Sequence, residues 1–202
     1  ECFLDSATLR ENVVALARNI GYVPRSRRSS RARISFTVDG LTETSTLTLN
    51  SGIVCNGAGD NTNFIFCIPE DITVPVTNGF AEFNNIEIYE GNFITQSFTV
   101  DTSLFNQKYI LDNSFIDTST IKVKVKSSSS ATSSVTYKQI DNIVGVTSTS
   151  NSYLLQEIED ERYELIFGDD VIAKKLSNNN VITASYVVTE GKDGNGASEF
   201  SF

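Results

Sequence analysis

A mainly β fold of the α+β type, antiparallel β-sheets with one N-terminal amphipathic helix, is predicted by three observations. Apolar residues recur at helical spacing only between residues 9 and 20. After Pro24 they alternate with polar ones, and Gly, Asn and Asp punctuate the alternating runs. In the helical segment Leu9, Val13, Leu16 and Ile20 fall four, three and four apart, and Val14 and Ala17 widen the same stripe. Thr8 and Glu11 have capping-box spacing and Gly21 and Pro24 supply a stop, so the helix should run from about residue 6 or 8 to 20. A lone helix of this length is marginal in water and needs a sheet or a partner helix to cover its apolar face.

The strands follow in order. Ile34, Phe36 and Val38 alternate with Arg33, Ser35 and Thr37, and Leu47 and Leu49 with Thr46 and Thr48, as half-buried antiparallel strands do. Phe64 to Ile68 is a continuous apolar run, which suits a strand covered on both faces. Ile86 to Tyr89 and Phe93 to Val100 flank a turn at Glu90-Gly91-Asn92. Ile121, Val123 and Val125 alternate with Lys122, Lys124 and Lys126, a solvated face or an edge guarded against stray pairing. Further short strands are expected around residues 135–139, 153–158, 163–167, 171–176 and 181–189. Asn178-Asn179-Asn180 turns the last pair, and a Gly-rich segment at 191–196 follows. The serine-rich stretch 127–134 is a loop or linker, either a long exposed hairpin loop or the boundary between an N-terminal helix plus β lobe (1–126) and a second β lobe (135–202).

With 202 residues, 40% hydrophobic and 20% charged, the chain is long and apolar enough to bury a core without metal or disulfide staples. It contains no histidine, which removes Ser-His-Asp and Cys-His systems, His-liganded zinc and His-based proton relays. Methionine is absent even at position 1, which reads as a piece of a longer protein. Three cysteines, Cys2, Cys55 and Cys67, form no CxxC pair. Cys55 and Cys67 either face each other across a hairpin or sit as buried free thiols, and the odd count favours thiols and a reducing compartment. No apolar run is long enough for a membrane span, no signal segment opens the chain, and no glycosylation sequon occurs.

Charge is segregated. The net charge is −9, yet residues 1–33 hold seven arginines against three acids. Five of these, Arg25, Arg27, Arg28, Arg31 and Arg33, fall within nine residues directly after the helix. This is either a solvated loop or a docking strip for an acidic surface, since guanidinium groups fork onto carboxylates. Nucleic acid is a poor partner for an acidic body. The acids at 157–161 and 164 read as a solvated turn between strands, and without tryptophan a sugar-cleaving cleft has little support. Asp193-Gly194-Asn195 lacks the spaced ligands of a calcium loop, and no glycine run forms a phosphate loop.

Three segments together resemble the baseplate wedge proteins of contractile-tailed bacteriophages, related to the baseplate J-like family. The first is Leu9 through Pro24 followed by the strand Ala32 to Val38. The second is the run of strand signals from Leu47 to Val125, including Phe66-Cys67-Ile68-Pro69 and Ile88-Tyr89-Glu90-Gly91. The third is Phe167-Gly168-Asp169-Asp170, then Val181 to Gly191 and Gly194-Asn195. Asp170 and Ala173 stand where the family usually has glycine, so the turn after Phe167 should open differently here.

The resemblance implies a structural subunit of a tail baseplate, without enzymatic activity and without cofactor, metal or small-molecule substrate. It would be made in the host cytoplasm and carried in the virion. It also implies assembly with further copies and with other baseplate proteins, not with nucleic acid or membrane. On that reading Arg25, Arg27, Arg28, Arg31 and Arg33 meet a neighbour's acidic surface, and Leu9, Val13, Leu16 and Ile20 pack the helix. Two other classes stay open: a carbohydrate-binding or adhesive β module, which would display exposed aromatics on a concave face, and a carboxylate-dependent hydrolase.

Overall fold

The computed structural model describes residues 26–42, 45–59, 62–142 and 144–202, and Val13. The expected helix, with Leu9, Leu16 and Ile20, lies outside the described residues, as does Arg25. No described element carries the helical part of the expected fold class. The described chain is β, in two seven-stranded sheets.

The first sheet runs β14 (Glu199–Ser201), β3 (Gly52–Gly59), β4 (Thr62–Ile68), β6 (Phe80–Glu90), β5 (Ile72–Thr77), β2 (Thr46–Leu49), and β1 (Arg31–Val38) also pairs with β6. The second runs β7 (Asn92–Thr99), β13 (Val181–Val188), β9 (Ile116–Lys126), β10 (Val135–Gln139), β11 (Ser152–Glu157), β12 (Tyr163–Phe167), β8 (Tyr109–Leu111). The chain divides into two interleaved units. One holds Phe98–Ile116 and Val125–Ile182 together with the described residues up to Arg27; the other holds Arg28–Ser97, Asp117–Lys124 and Thr183–Phe202.

In the second unit, Ile34, Cys55, Phe66, Ile68, Ala81, Phe83, Ile86 and Ile88 form one buried cluster. Strict alternation along β6 would send Phe83 and Ile86 to opposite faces. An extra residue at Asn84-Asn85 opposes the step from Ile34 to Phe36, Asn85 takes the left-handed conformation (φ 56°), and its N–H donates to Ser35 Oγ at 2.9 Å. This bulge keeps both apolar side chains inward. Cys55 and Cys67 are buried free thiols, as the odd count favours, and burial pushes the Cys67 thiol up to about 12, with the Glu90 carboxylate adding to the shift.

In the first unit, Tyr109, Tyr137 and Tyr153 pack around Phe167 with ring centroids 5.6, 5.7 and 6.1 Å away. The Tyr109 and Tyr137 contacts are edge-to-face and the Tyr153 contact is tilted, and such pairs add to the burial of the rings themselves.

Several expectations need correction. The strand foreseen at 171–176 does not form. Asp169 Oδ1 accepts from the N–H groups of Val171 and Ile172, Asp170 N–H donates to the Ala173 carbonyl, and Lys175 N–H donates to Asp170 Oδ1. Side-chain bonding of this kind gives the backbone an alternative to a ladder. Asp170 (φ 70°) and Ala173 (φ 61°) both adopt the left-handed region, which a glycine enters more readily. The pairing is not wholly antiparallel, since β10 and β11 run parallel across the connection at 140–151. The lysine-bearing strand β9 is interior to its sheet, between β13 and β10, so the edge-guard alternative falls away. The serine-rich stretch 127–134 is the loop from β9 to β10.

Two outcomes follow from this packing. Gly91, buried at the β6–β7 turn with φ 131°, has no room for a Cβ, which would run into the Val188 carbonyl oxygen and lie 2.7 Å from Val187 Cγ1. Gly91→Ala is therefore expected to cost at least about 2 kcal/mol in urea unfolding. A thiol reagent at neutral pH should label Cys55 and Cys67 in the folded protein far more slowly than in denaturant, because both are buried and their thiols are held protonated.

Candidate protein interface

The arginines predicted to act together meet different surroundings. Arg27 lies over the Phe115 ring, 3.8 Å from guanidinium carbon to ring centroid. Phe115 is 41% exposed and takes φ 63°, an uncommon conformation for a bulky residue. Arg28 is exposed. Arg31 and Arg33 stand on the solvent face of β1, while Ile34 is buried and Ala32 packs against the core.

The β1–β6 register sets Arg31 opposite Tyr89 and Arg33 opposite Glu87. Both guanidinium groups approach the same carboxylate oxygen, Glu87 Oε1, at 3.8 and 4.0 Å. Glu87 Oε2 accepts from Tyr89 Oη at 2.8 Å, and Arg31 lies over the Tyr89 ring at 5.0 Å and donates to Ser119 Oγ at 3.1 Å. Burial first, then the hydrogen bond to Glu87, pushes the Tyr89 phenol up to about 12. Two cations therefore share one partially exposed anion. Ion pairs this long and this wet add little stability and leave positive charge uncompensated.

Backbone polarity along β1 follows from its first rung. Glu90 N–H donates to the Ser30 carbonyl at 2.9 Å. In an antiparallel ladder hydrogen-bonded pairs alternate with non-bonded ones, so Ala32 and Ile34 bond toward β6, whereas the N–H and C=O groups of Arg31 and Arg33 point to the opposite side. Among the described strands β6 alone pairs with β1, so no described strand occupies that opposite side.

A polar seam fixes the start of this edge, and the sequence carries no spacing signal for it. Asp117 is fully buried; its Oδ2 accepts from Ser29 N–H at 2.9 Å and its Oδ1 from Ser119 N–H and Oγ at 3.0 and 2.6 Å. Next to Ser29, Ser30 Oγ donates to the Gly191 carbonyl at 2.8 Å. Glu90, also buried, accepts from Thr189 Oγ1 at 2.6 Å, and Thr189 Oγ1 in turn accepts from Gly191 N–H at 2.8 Å. Burial raises the Glu90 carboxyl above the ordinary glutamate range, opposed by the Thr189 hydroxyl and a backbone bond and reinforced by Glu190 and Asp193.

Glu159–Glu161 form a 3-10 turn between β11 and β12, with Asp160 paired to Arg162 at 3.5 Å, and Gly191–Gly194 form another such turn. Among the described residues no group of three or more Cys, Asp and Glu side chains is placed to hold a metal ion, and no helix is long and apolar enough to cross a membrane. An open cleft of 600 Å³ lies along β10, β11 and the loop joining them, lined by Lys138, Asp141 and Ser152 among others. What the described residues bring together is a basic strand, β1, whose side away from β6 is paired with no described strand.

No protein-family model matches the chain. Over its whole length the chain is 24% identical, across 220 aligned positions, to the baseplate wedge protein gp6 of Enterobacteria phage T4, and it spans 32% of that protein's length. The likeness is thus to a baseplate protein.

The Glu90 environment gives a signed pH dependence. With its carboxyl raised in the fold, Glu90 contributes most to stability below the ordinary glutamate pKa, and that contribution is lost as pH rises through the folded value. The stability difference between wild type and Glu90→Gln, read from urea midpoints, should therefore move in favour of the variant as pH rises from the ordinary glutamate range, and level off above the folded value.

Proposed function

We propose that this chain is a structural part of a phage tail baseplate, acting by docking to neighbouring baseplate proteins and to further copies of itself, with no bond-making chemistry and with its place in the virion. The observation that carries the reading is the likeness of this chain, over its own length, to about a third of a baseplate wedge protein. The exposed arginines after residue 25 add a mechanism, because a strongly acidic chain with a local basic strip selects partners that present carboxylates. Association of this kind is steered by charge and is sensitive to salt, which suits subunits that must assemble in one order.

Replacing Arg25, Arg27, Arg28, Arg31 and Arg33 together by serine in the full-length protein is expected to abolish co-sedimentation with tail particles at low salt while leaving the far-ultraviolet circular dichroism unchanged. Undiminished incorporation of the variant would refute the docking role of the strip.

A further inference from the structure

The edge of β1 that no described strand covers carries two features that point to the same kind of ligand. Its outward backbone groups belong to Arg31 and Arg33, the residues whose side chains crowd a single carboxylate on Glu87. A strand laid antiparallel along that edge would form its hydrogen-bonded pairs opposite Arg31 and Arg33, with its side chains at those two positions on the guanidinium face. A carboxylate at each would give both arginines an anion on their free side, and the residue between them would turn toward the face on which Ala32 and Ile34 pack.

We infer that β1 is a strand-addition site for an extended acidic segment of another polypeptide, one with Asp or Glu at two positions separated by a single apolar residue. The inference deepens the docking reading above and rests on it, since it names how the arginines engage carboxylates. The edge is held ready: Ser29 is bonded to buried Asp117, Ser30 to Gly191 and Glu90, and Arg31 is oriented by Ser119 and Tyr89. Little ordering of the protein itself is then required on binding.

The test uses the full chain and a synthetic peptide with the alternation Thr-Val-Glu-Val-Glu-Val-Thr. Binding followed by amide exchange should slow exchange at Arg31 and Arg33 and leave Ala32 and Ile34, already bonded to β6, unchanged. Gln in place of both Glu, or Arg31→Ser with Arg33→Ser in the protein, should weaken binding by about tenfold or more. N-methylation separates strand addition from charge attraction. A methyl on the two Glu nitrogens, which face β1, should abolish binding, and a methyl on the central Val nitrogen, which faces away, should leave it intact. Equal tolerance of both methylations, with the charge effect retained, would overturn strand addition while leaving arginine docking standing. No binding at millimolar peptide, or pairing of the edge with a second copy of the chain in preference to the peptide, would overturn the inference outright.

Discussion

The arrangement described here depends on one buried carboxylate. Asp117 has no access to water, and a charge in that position must be met by donors from the protein. Ser29 N–H meets one oxygen and Ser119 the other, so the chain entering β1 is tied to β9 immediately before the first arginine of the strand. Thr120 extends the same seam, with its hydroxyl donating to the Asp117 carbonyl and accepting from Val187 N–H. The tie acts together with the bonds of Ser30 to the Gly191 carbonyl and of Arg31 to Ser119, so the start of β1 is fixed by more than its pairing with β6.

An exposed strand edge is ordinarily a liability, and charge along it is the usual protection against indiscriminate pairing. On the reading proposed above, the arginines of β1 act in both senses, discouraging neutral or basic strands and rewarding an acidic one. The modest strength of the Arg31 and Arg33 pairs with Glu87 fits this use, because a guanidinium locked into a short buried pair would have nothing left to offer a partner.

Much of the β architecture was legible from periodicity. Ile34, Phe36 and Val38 did mark β1, and the alternation around Ile86 and Ile88 marked β6, because burial of one face writes itself into a period of two. The misses share a cause. Val171 to Leu176 looked like a strand on composition, but two aspartates placed before it capture the backbone with their side chains. β3, with three glycines and an asparagine, carried too little apolar signal to be seen. The cluster of arginines was visible as charge, whereas Glu87 and Tyr89 come from β6 and Asp117 and Ser119 from β9, stretches that only pairing brings to β1. No local pattern encodes such a juxtaposition.

The most direct test of the account is the density of an assembled tail particle containing the full-length protein, imaged by electron cryomicroscopy to side-chain detail. The account predicts that residues 28–33 lie within a protein interface, with carboxylates of a neighbouring polypeptide beside Arg31 and Arg33. A particle in which that strand faces solvent, or from which the protein is missing, would contradict it.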